Sequence, residues 1–415
     1  MRDVRMRGFA ERADVEDVER LLRESTAPLE PEDVTLDDCA GRVLTADVYA
    51  DVDVPGFDRS AMDGYAVRGE DSFGASAYGP LTLELIGEAL PGRPFAGSVG
   101  SGQAVRIMTG APLPAGADAV VMAEVCEERG ETVELRDAVA PRKNVGRTGE
   151  DITQGTRVLA AGRRLRPQDA GLLASIGIDR VACVRQPRVR LLVTGDELLP
   201  AGQRPEGARI ADSNSVVLRA LVARDGGQVL PFELLPDRPE RIRAELSRGD
   251  ADLVLVSGGS SVGREDHAPR LLAELGTLDF HGVSMRPSSP AGGGRIGTAR
   301  VFLLPGNPVS CLCAYEFFAG PTVRALGGRS RAWPHRRVHL PLGRKIASAV
   351  GRTDYTRVAI EQGRAVPLAT SGASILSSTV RAAGAVIVPR ELEGLPEGAL
   401  VEVLLYDDEL PGAGS

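Results

Sequence analysis

Hydrophobic positions change rhythm three times along the chain, and each rhythm predicts a different kind of element. Val15, Val18, Leu21 and Leu22 recur at helical spacing behind an acidic start, which predicts a helix over 15–22. Between Thr35 and Ala50 short apolar and polar pieces alternate. From Leu81 to Val139 the pattern becomes short strands broken by turns such as Ala111-Pro112-Leu113-Pro114-Ala115-Gly116, which predicts a small β-domain. Asn144 to Gly155 reads as the returning linker.

A second rhythm begins at Arg188. Val189–Val193 predicts a strand ending in Thr194-Gly195-Asp196-Glu197, and Asp212-Ser213-Asn214 caps a helix through Leu221. Gln228–Leu234 predicts a strand and Pro239–Leu246 a helix. Asp252–Val256 is a continuous apolar strand followed by Ser257-Gly258-Gly259-Ser260-Ser261-Val262-Gly263. Val301–Leu304 is another, followed by Pro305-Gly306-Asn307-Pro308-Val309-Ser310 and an apolar helix. Buried-type strands alternating with helices predict a parallel sheet covered on both faces. After Arg329 the pattern returns to β, with strands expected at 339–342, 358–360, 385–388 and 400–406 in a small C-terminal barrel or sandwich.

Composition narrows the class. At 415 residues the chain exceeds one hydrophobic core, so about two to four domains are expected. With 43% hydrophobic and 26% charged residues it is ordinary for a globular protein. The 49 Gly and 28 Pro beside 4% aromatics favour α/β and small β-domains over helical bundles. A net charge of -8 argues against nonspecific nucleic-acid binding. No apolar run reaches the ~18 residues of a membrane span, and Met1–Asp14 lacks the apolar centre of a signal peptide. Five scattered cysteines without a Cys-x-x-Cys pair read as reduced, cytoplasmic residues, with Cys311 and Cys313 in the core. The four histidines show no metal-ligand spacing.

Two regions carry candidate chemistry. Phe57–Val67 gathers Asp58, Asp63, Ser60 and Arg59 around a Met-Asp-Gly-Tyr turn. Its acids are expected to lie against Phe57 and Met62, where a carboxylate needs a partner or a metal to stay ionised. The second region is the edge of the predicted sheet, because open parallel sheets bind ligands beyond the carboxyl ends of their strands. Each strand there ends in a polar loop: Asp196 and Glu197, then Asp237, then the Gly/Ser loop ending at Asp266, then 305–310. Gly258, Gly259 and Gly263 let backbone N–H groups approach a phosphate, and Ser260 and Ser261 add donors. The loop is neither a Walker A sequence nor Gly-x-Gly-x-x-Gly. Carboxylates at that edge would repel a bare phosphate, and a hard divalent cation such as Mg²⁺ resolves the conflict. Asp237, just before Pro239, has helix capping as its structural alternative. No Gly-x-Ser-x-Gly elbow or Ser-His-Asp set is present, which disfavours acyl hydrolysis.

Taken together, Phe57–Val67, Arg106–Pro112, Gly149–Ile152, Thr194–Leu198, Ser257–Gly263 with Asp266, and Pro305–Ser310 resemble the MoeA-type molybdopterin molybdenumtransferase family, which includes the C-terminal domain of gephyrin. The resemblance implies an α/β multidomain fold. Its centre is a parallel three-layer domain similar to the molybdopterin-binding domain of the preceding adenylyltransferase. The implied divisions are a discontinuous elongated domain at 1–48 and 146–185, an inserted β-domain at 49–145, the α/β domain at 186–328 and a C-terminal β-barrel-like domain at 329–415. It also implies an L-shaped homodimer that takes adenylylated molybdopterin and molybdate and, with Mg²⁺, yields molybdenum cofactor and AMP. The adenylyltransferase and recipient apo-molybdoenzymes are the implied partners.

Carried onto this chain, the family's catalytic positions match Asp63, Thr109, Glu197 and Asp266, with the active site shared between the α/β domain of one subunit and the Phe57–Val67 and Thr109 region of the other. Asp237 and Asp266 match the metal-side carboxylates. Ser257, Gly258, Gly259 and Ser261 match the pterin phosphate or AMP loop. Pro305, Pro308, Ser310, Arg357 and Arg286 match the molybdate side, where a tetrahedral oxyanion wants fixed donors and a permanent cation. The chain departs from the family at Arg286-Pro287-Ser288-Ser289-Pro290, where the usual motif is Lys-Pro-Gly-Lys-Pro, so Ser289 replaces a lysine. It departs again at Gly372-Ala373, where Gly-Ser is usual. Each lost anion contact costs roughly 1.5–3 kcal/mol, and Arg295 and Arg300 are the candidates for compensating charge. The alternative is a weakened paralogue that binds molybdopterin or acts as a dimeric scaffold. A nucleotide-processing relative of the adenylyltransferase is disfavoured by the two β-regions.

Overall fold

The computed structural model describes residues 12–259, 266–369 and 374–407. They fall into two units, one of residues 33–40 and 44–183, the other of residues up to 32, 41–43 and from 184 onward.

In the first unit, a six-stranded sheet runs in the order Ala119–Met122, Gly64–Val67, Gln103–Ile107, Leu81–Ala89, Thr132–Leu135 and Cys126–Arg129. Successive side chains of a strand face opposite sides, so Tyr65 and Val67 enter one core with Val121, Val133 and Leu135, and Ala66 enters another with Val105, Ile107 and Val120. The strand Gly64–Val67 is therefore buried on both faces. Gly64 itself is required there, because a Cβ would lie 1.9 Å from the Val121 carbonyl oxygen. A third core joins Val34, Cys39 and Leu44 to Leu159, Leu173 and Cys183.

In the second unit, the predicted parallel strands pair in the order Gln228–Val229, Arg188–Thr194, Leu253–Ser257 and Ala299–Leu304. Alternation again sorts the side chains. Val189, Leu191, Leu253, Leu255, Phe302 and Leu304 face one core, whereas Leu192, Val254, Val256, Val301 and Leu303 face the other. Helices Asn214–Arg224 and Pro308–Ala314 cover the first face, and Pro239–Leu246 with Ala268–Leu275 cover the second, giving three layers.

Three details differ from expectation. The strand foreseen over 228–234 is two short pieces, Gln228–Val229 and Leu234–Leu235, both paired to Arg188–Thr194. Pro231 between them lacks the N–H a ladder needs. The sheet is also not wholly parallel: Gly292–Ile296 and Thr277–His281 extend it antiparallel. Three glycines in the first and a mixed polar run in the second hid the strand signal. Finally, the helix Val15–Glu24 places Val15, Val18 and Leu22 in the same core as Val189 and Leu218.

The C-terminal β-region is a six-stranded sheet around Thr353–Glu361, Gly384–Val388, Leu400–Leu405 and Arg337–Pro341. Met285–Arg286, from the preceding segment, joins its edge in parallel with Thr353–Asp354. Cys311 and Cys313 are buried in the helix Pro308–Ala314, where burial pushes the Cys311 thiol up to about 12. They pack as core residues.

Candidate active site

The strand register brings the chemistry to one edge. Thr194 pairs with Leu235, Val193 with Ser257, and Ser257 with Leu304, so four strand ends lie nearly level. Their outgoing loops open onto a cavity of about 630 Å³. Glu197, Asp237 and Asp266 line it, together with Ser257, Gly258 and Gly259 on one side and Pro305 and Pro308 on another. These eight expected site residues come from four loops separated by up to about a hundred positions in sequence.

Gly258 shows why the turn after the third strand is built as it is. Its φ is +96°, and a Cβ there would meet the Thr194 carbonyl oxygen at 2.3 Å. Only glycine allows the backbone to cross that close to the neighbouring strand. Beneath it the Thr194 hydroxyl is shielded from water and has no hydrogen-bond partner among the described residues.

The carboxylates differ in how they are held. Asp237 does not cap the helix Pro239–Leu246, whose N-cap is Arg238 with no side-chain cap bond. Its N–H donates to Asp196 at 3.2 Å, while its Oδ1 is shielded and lacks any partner among the described residues. A carboxylate oxygen in that position is costly unless a ligand or cation meets it. Asp212, also in the wall, accepts from the Ser215 N–H at 3.1 Å, in the first turn of the helix Asn214–Arg224. No Lys, Arg or His lines the cavity among the described residues. Nor do three His, Cys, Asp or Glu side chains gather among those residues closely enough to hold a metal. The donor set therefore suits a hard cation that takes one or two carboxylates here and its remaining ligands from a phosphate and water.

The other expected residues lie elsewhere. Ser261 falls outside the described residues, as do Gly263 and Ala373. Ser310 is buried one turn into its helix, and its carbonyl accepts from the Ser288 hydroxyl. Arg357 is 3% exposed in the strand Thr353–Glu361. Arg286 pairs in register with Asp354 and donates to it at 2.6 Å. Buried Asp354 also accepts from Arg352 at 2.8 Å and Ser348 at 2.9 Å, so the Arg286 charge is matched inside the protein. Ser288 holds a left-handed φ of +83°, where the family motif has glycine. The Ser289 hydroxyl is shielded and unpartnered among the described residues, and Pro290 lines the cavity. Arg295 and Arg300 do not supply the missing charge: both face Asp279, at 3.5 and 3.4 Å.

Asp63 and Thr109 belong to the other unit. Asp63 accepts from the Thr109 N–H and hydroxyl, both at 2.7 Å. These bonds, the backbone one foremost, hold its carboxyl below the usual range. Asp58 accepts from the Thr148 N–H and hydroxyl at 2.9 Å and from Arg142 at 2.7 Å. The expectation that these acids lie against apolar surface is corrected: Phe57 and Met62 are 47% and 43% exposed, and local donors stabilise both acids.

Sequence reasoning missed one contributor: Thr194 already belongs to the Thr194–Leu198 motif, whereas Asn214 reads only as part of a helix cap. Asn214 reaches across two loops at once, donating to Ser257 Oγ at 2.9 Å and to the Gly306 carbonyl at 2.8 Å. The position of an Asn one residue inside a helix that starts at the ligand edge was the available signal.

Three family descriptions match consecutive parts of the chain: "MoeA N-terminal region (domain I and II)" over residues 13–177, "Probable molybdopterin binding domain" over 190–325 and "MoeA C-terminal region (domain IV)" over 339–406. The chain is similar to molybdopterin molybdenumtransferase of Haemophilus influenzae, with 34% identity covering 92% of this chain and 96% of that one. It is also similar to molybdopterin molybdenumtransferase 2 of Mycobacterium tuberculosis, with 32% identity covering 94% and 98%. The solved structure of the molybdopterin biosynthesis MoeA protein from Pyrococcus horikosii superposes with a TM-score of 0.79 and 32% identity, covering 96% of this chain and 100% of that one. Matched along nearly its whole length in sequence and fold, the chain belongs to the MoeA family of molybdopterin molybdenumtransferases.

Proposed function

We propose that this protein inserts molybdate into adenylylated molybdopterin with release of AMP, forming molybdenum cofactor. The observation that carries the proposal is the cavity lined by Gly258, Gly259, Asp266 and Asp237, whose Oδ1 is shielded and without a partner among the described residues. An anionic ligand alone does not suit those acids, whereas a phosphate bridged by a cation does. In this reading Asp237 and Asp266 hold Mg²⁺, which neutralises phosphate charge when the phosphoanhydride breaks. Gly258 and Gly259 bring backbone close to the phosphates, and Ser257 and Ser261 supply hydroxyl donors. Glu197, exposed at the rim, orients the incoming ligand. Pro305, Pro308, Ser310 and Arg357 shape the molybdate side, with Arg286 acting through Asp354.

The reading includes a homodimer in which Asp63 and Thr109 of one copy complete the cavity of the other. A depressed carboxyl is a poor proton acceptor, so Asp63 serves by its fixed negative charge and geometry. Among the described residues no helix is long and apolar enough to cross a membrane, and a cytoplasmic site of action is proposed on the cysteine pattern. Working partners are the adenylyltransferase that supplies the substrate and the apo-molybdoenzymes that accept the product.

Purified protein given Mg²⁺, molybdate and adenylylated molybdopterin should release AMP and reconstitute an apo-molybdoenzyme. Tight binding of the adenylylated pterin without AMP release would instead support the scaffold reading that Ser289 and Ala373 suggested.

A further inference from the structure

We propose that Asn214 is a positioning residue of this site: its amide fixes the polarity of the Ser257 hydroxyl and ties the Pro305–Pro308 wall to the Gly258–Gly259 turn. The inference rests on the reading of the cavity as the site of an adenylylated, phosphate-bearing ligand. Asn214 is 7% exposed at the first position of the helix Asn214–Arg224, and it lines the cavity. Both of its strong contacts come from one atom. Nδ2 donates to Ser257 Oγ at 2.9 Å and to the Gly306 carbonyl at 2.8 Å.

The orientation of the amide follows from its partners. A carbonyl oxygen can only accept, so the group facing Gly306 must be the NH₂ and not the amide oxygen. The same NH₂ then spends its second proton on Ser257 Oγ. With that lone pair occupied by an incoming donor, Ser257 has its own proton to place. Among the described residues the one other neighbour of its oxygen is Cys311 Sγ at 3.7 Å, a long contact to a weak acceptor. That leaves the Ser257 proton for a ligand oxygen in the cavity. Asn214 thereby makes Ser257 a donor toward the ligand, which is the polarity an anionic phosphate oxygen needs. Its second bond holds the loop after the Ala299–Leu304 strand against the loop after the Leu253–Ser257 strand. Neighbouring strands fix their own ends, but nothing in a ladder fixes the loops that leave them.

A double-mutant cycle on binding of adenylylated molybdopterin tests this, with Asn214→Ala, Ser257→Ala and the pair. Each single change should weaken binding roughly 10- to 100-fold, the range expected for a hydrogen bond to a charged oxygen. The pair should lose clearly less than the product of the two single losses, because both share the Ser257 hydroxyl while the Gly306 bond belongs to Asn214 alone. Asn214→Asp keeps the shape but sets a carboxylate against the Gly306 carbonyl and draws the Ser257 proton to itself, so it should bind no better than Asn214→Ala. It also serves if the alanine variant fails to fold. Thermal melting shows whether each variant is folded when its binding is measured. Losses that multiply in the pair, an Asn214→Ala protein within twofold of wild type, or Asn214→Asp behaving as wild type would each overturn the proposal. Failure of the wild-type protein to bind the adenylylated pterin at all would overturn the reading of the cavity instead.

Discussion

Two sets of acidic side chains in this protein look alike in sequence and are handled in opposite ways. Asp58 and Asp63 sit in an exposed turn and accept from nearby donors: Thr148 and Arg142 meet both oxygens of the first, and the Thr109 N–H and hydroxyl meet Oδ1 of the second. Among the described residues, Asp237 stands at a sheet edge with one oxygen shielded and unmet, in a wall that also carries Glu197 and Asp266 and no cationic side chain. The first set is held by donors of its own unit, whereas a shielded carboxylate oxygen with no described partner is the feature on which the proposed cation site rests.

The comparison breaks most sharply at Asp63. Asp63→Asn removes the charge while keeping the turn, and AMP release should fall about 100- to 1000-fold with only a small drop in melting temperature. Full turnover in that variant would mean the exposed set is only a brace. Asp237→Asn should raise the Mg²⁺ concentration needed for half-maximal AMP release roughly 10- to 100-fold. Titration with Mg²⁺ reads this directly, and an unchanged curve would remove Asp237 from the metal. Gly258→Ala forces a Cβ into the Thr194 carbonyl and should cost on the order of 3 kcal/mol in urea unfolding.

The smallest effect concerns pH. The Thr109 bonds favour the ionised form of Asp63, so its carboxyl stays charged to lower pH than an ordinary aspartate. The stability it contributes is present above the ordinary aspartate value and is lost only as pH falls through the depressed one. Thr109→Val removes the hydroxyl donor but keeps the backbone N–H. The acidic limb of the AMP-release profile should move up in pH, part of the way to an ordinary aspartate. A limb that does not move would mean another group controls it.

Much of the α/β unit was legible because its strands are buried on both faces, and continuous apolar runs such as Leu253–Val256 announce themselves. The antiparallel strands Gly292–Ile296 and Thr277–His281 were not, since three glycines and a mixed polar run carry no periodicity. At the site, the loops that hold Glu197, Asp237 and Asp266 could be named from the rule that ligands bind at strand ends. The role of Asn214 could not, because its two partners lie 43 and 92 residues away in sequence. Likewise, an arginine at 286 reads as a spare cation until the register sets it against Asp354.

By itself the sequence determined the elements, the family and the loops that meet at the cavity, because periodicity and glycine placement are local properties of the chain. Only the tertiary structure decided which charges are already answered and which are not. That distinction separates Asp63, met by Thr109 forty-six residues away, from Asp237, met by nothing described. Whether a charge has a partner depends on what folds beside it, and neighbours in space are set by strand register and packing, not by spacing along the chain.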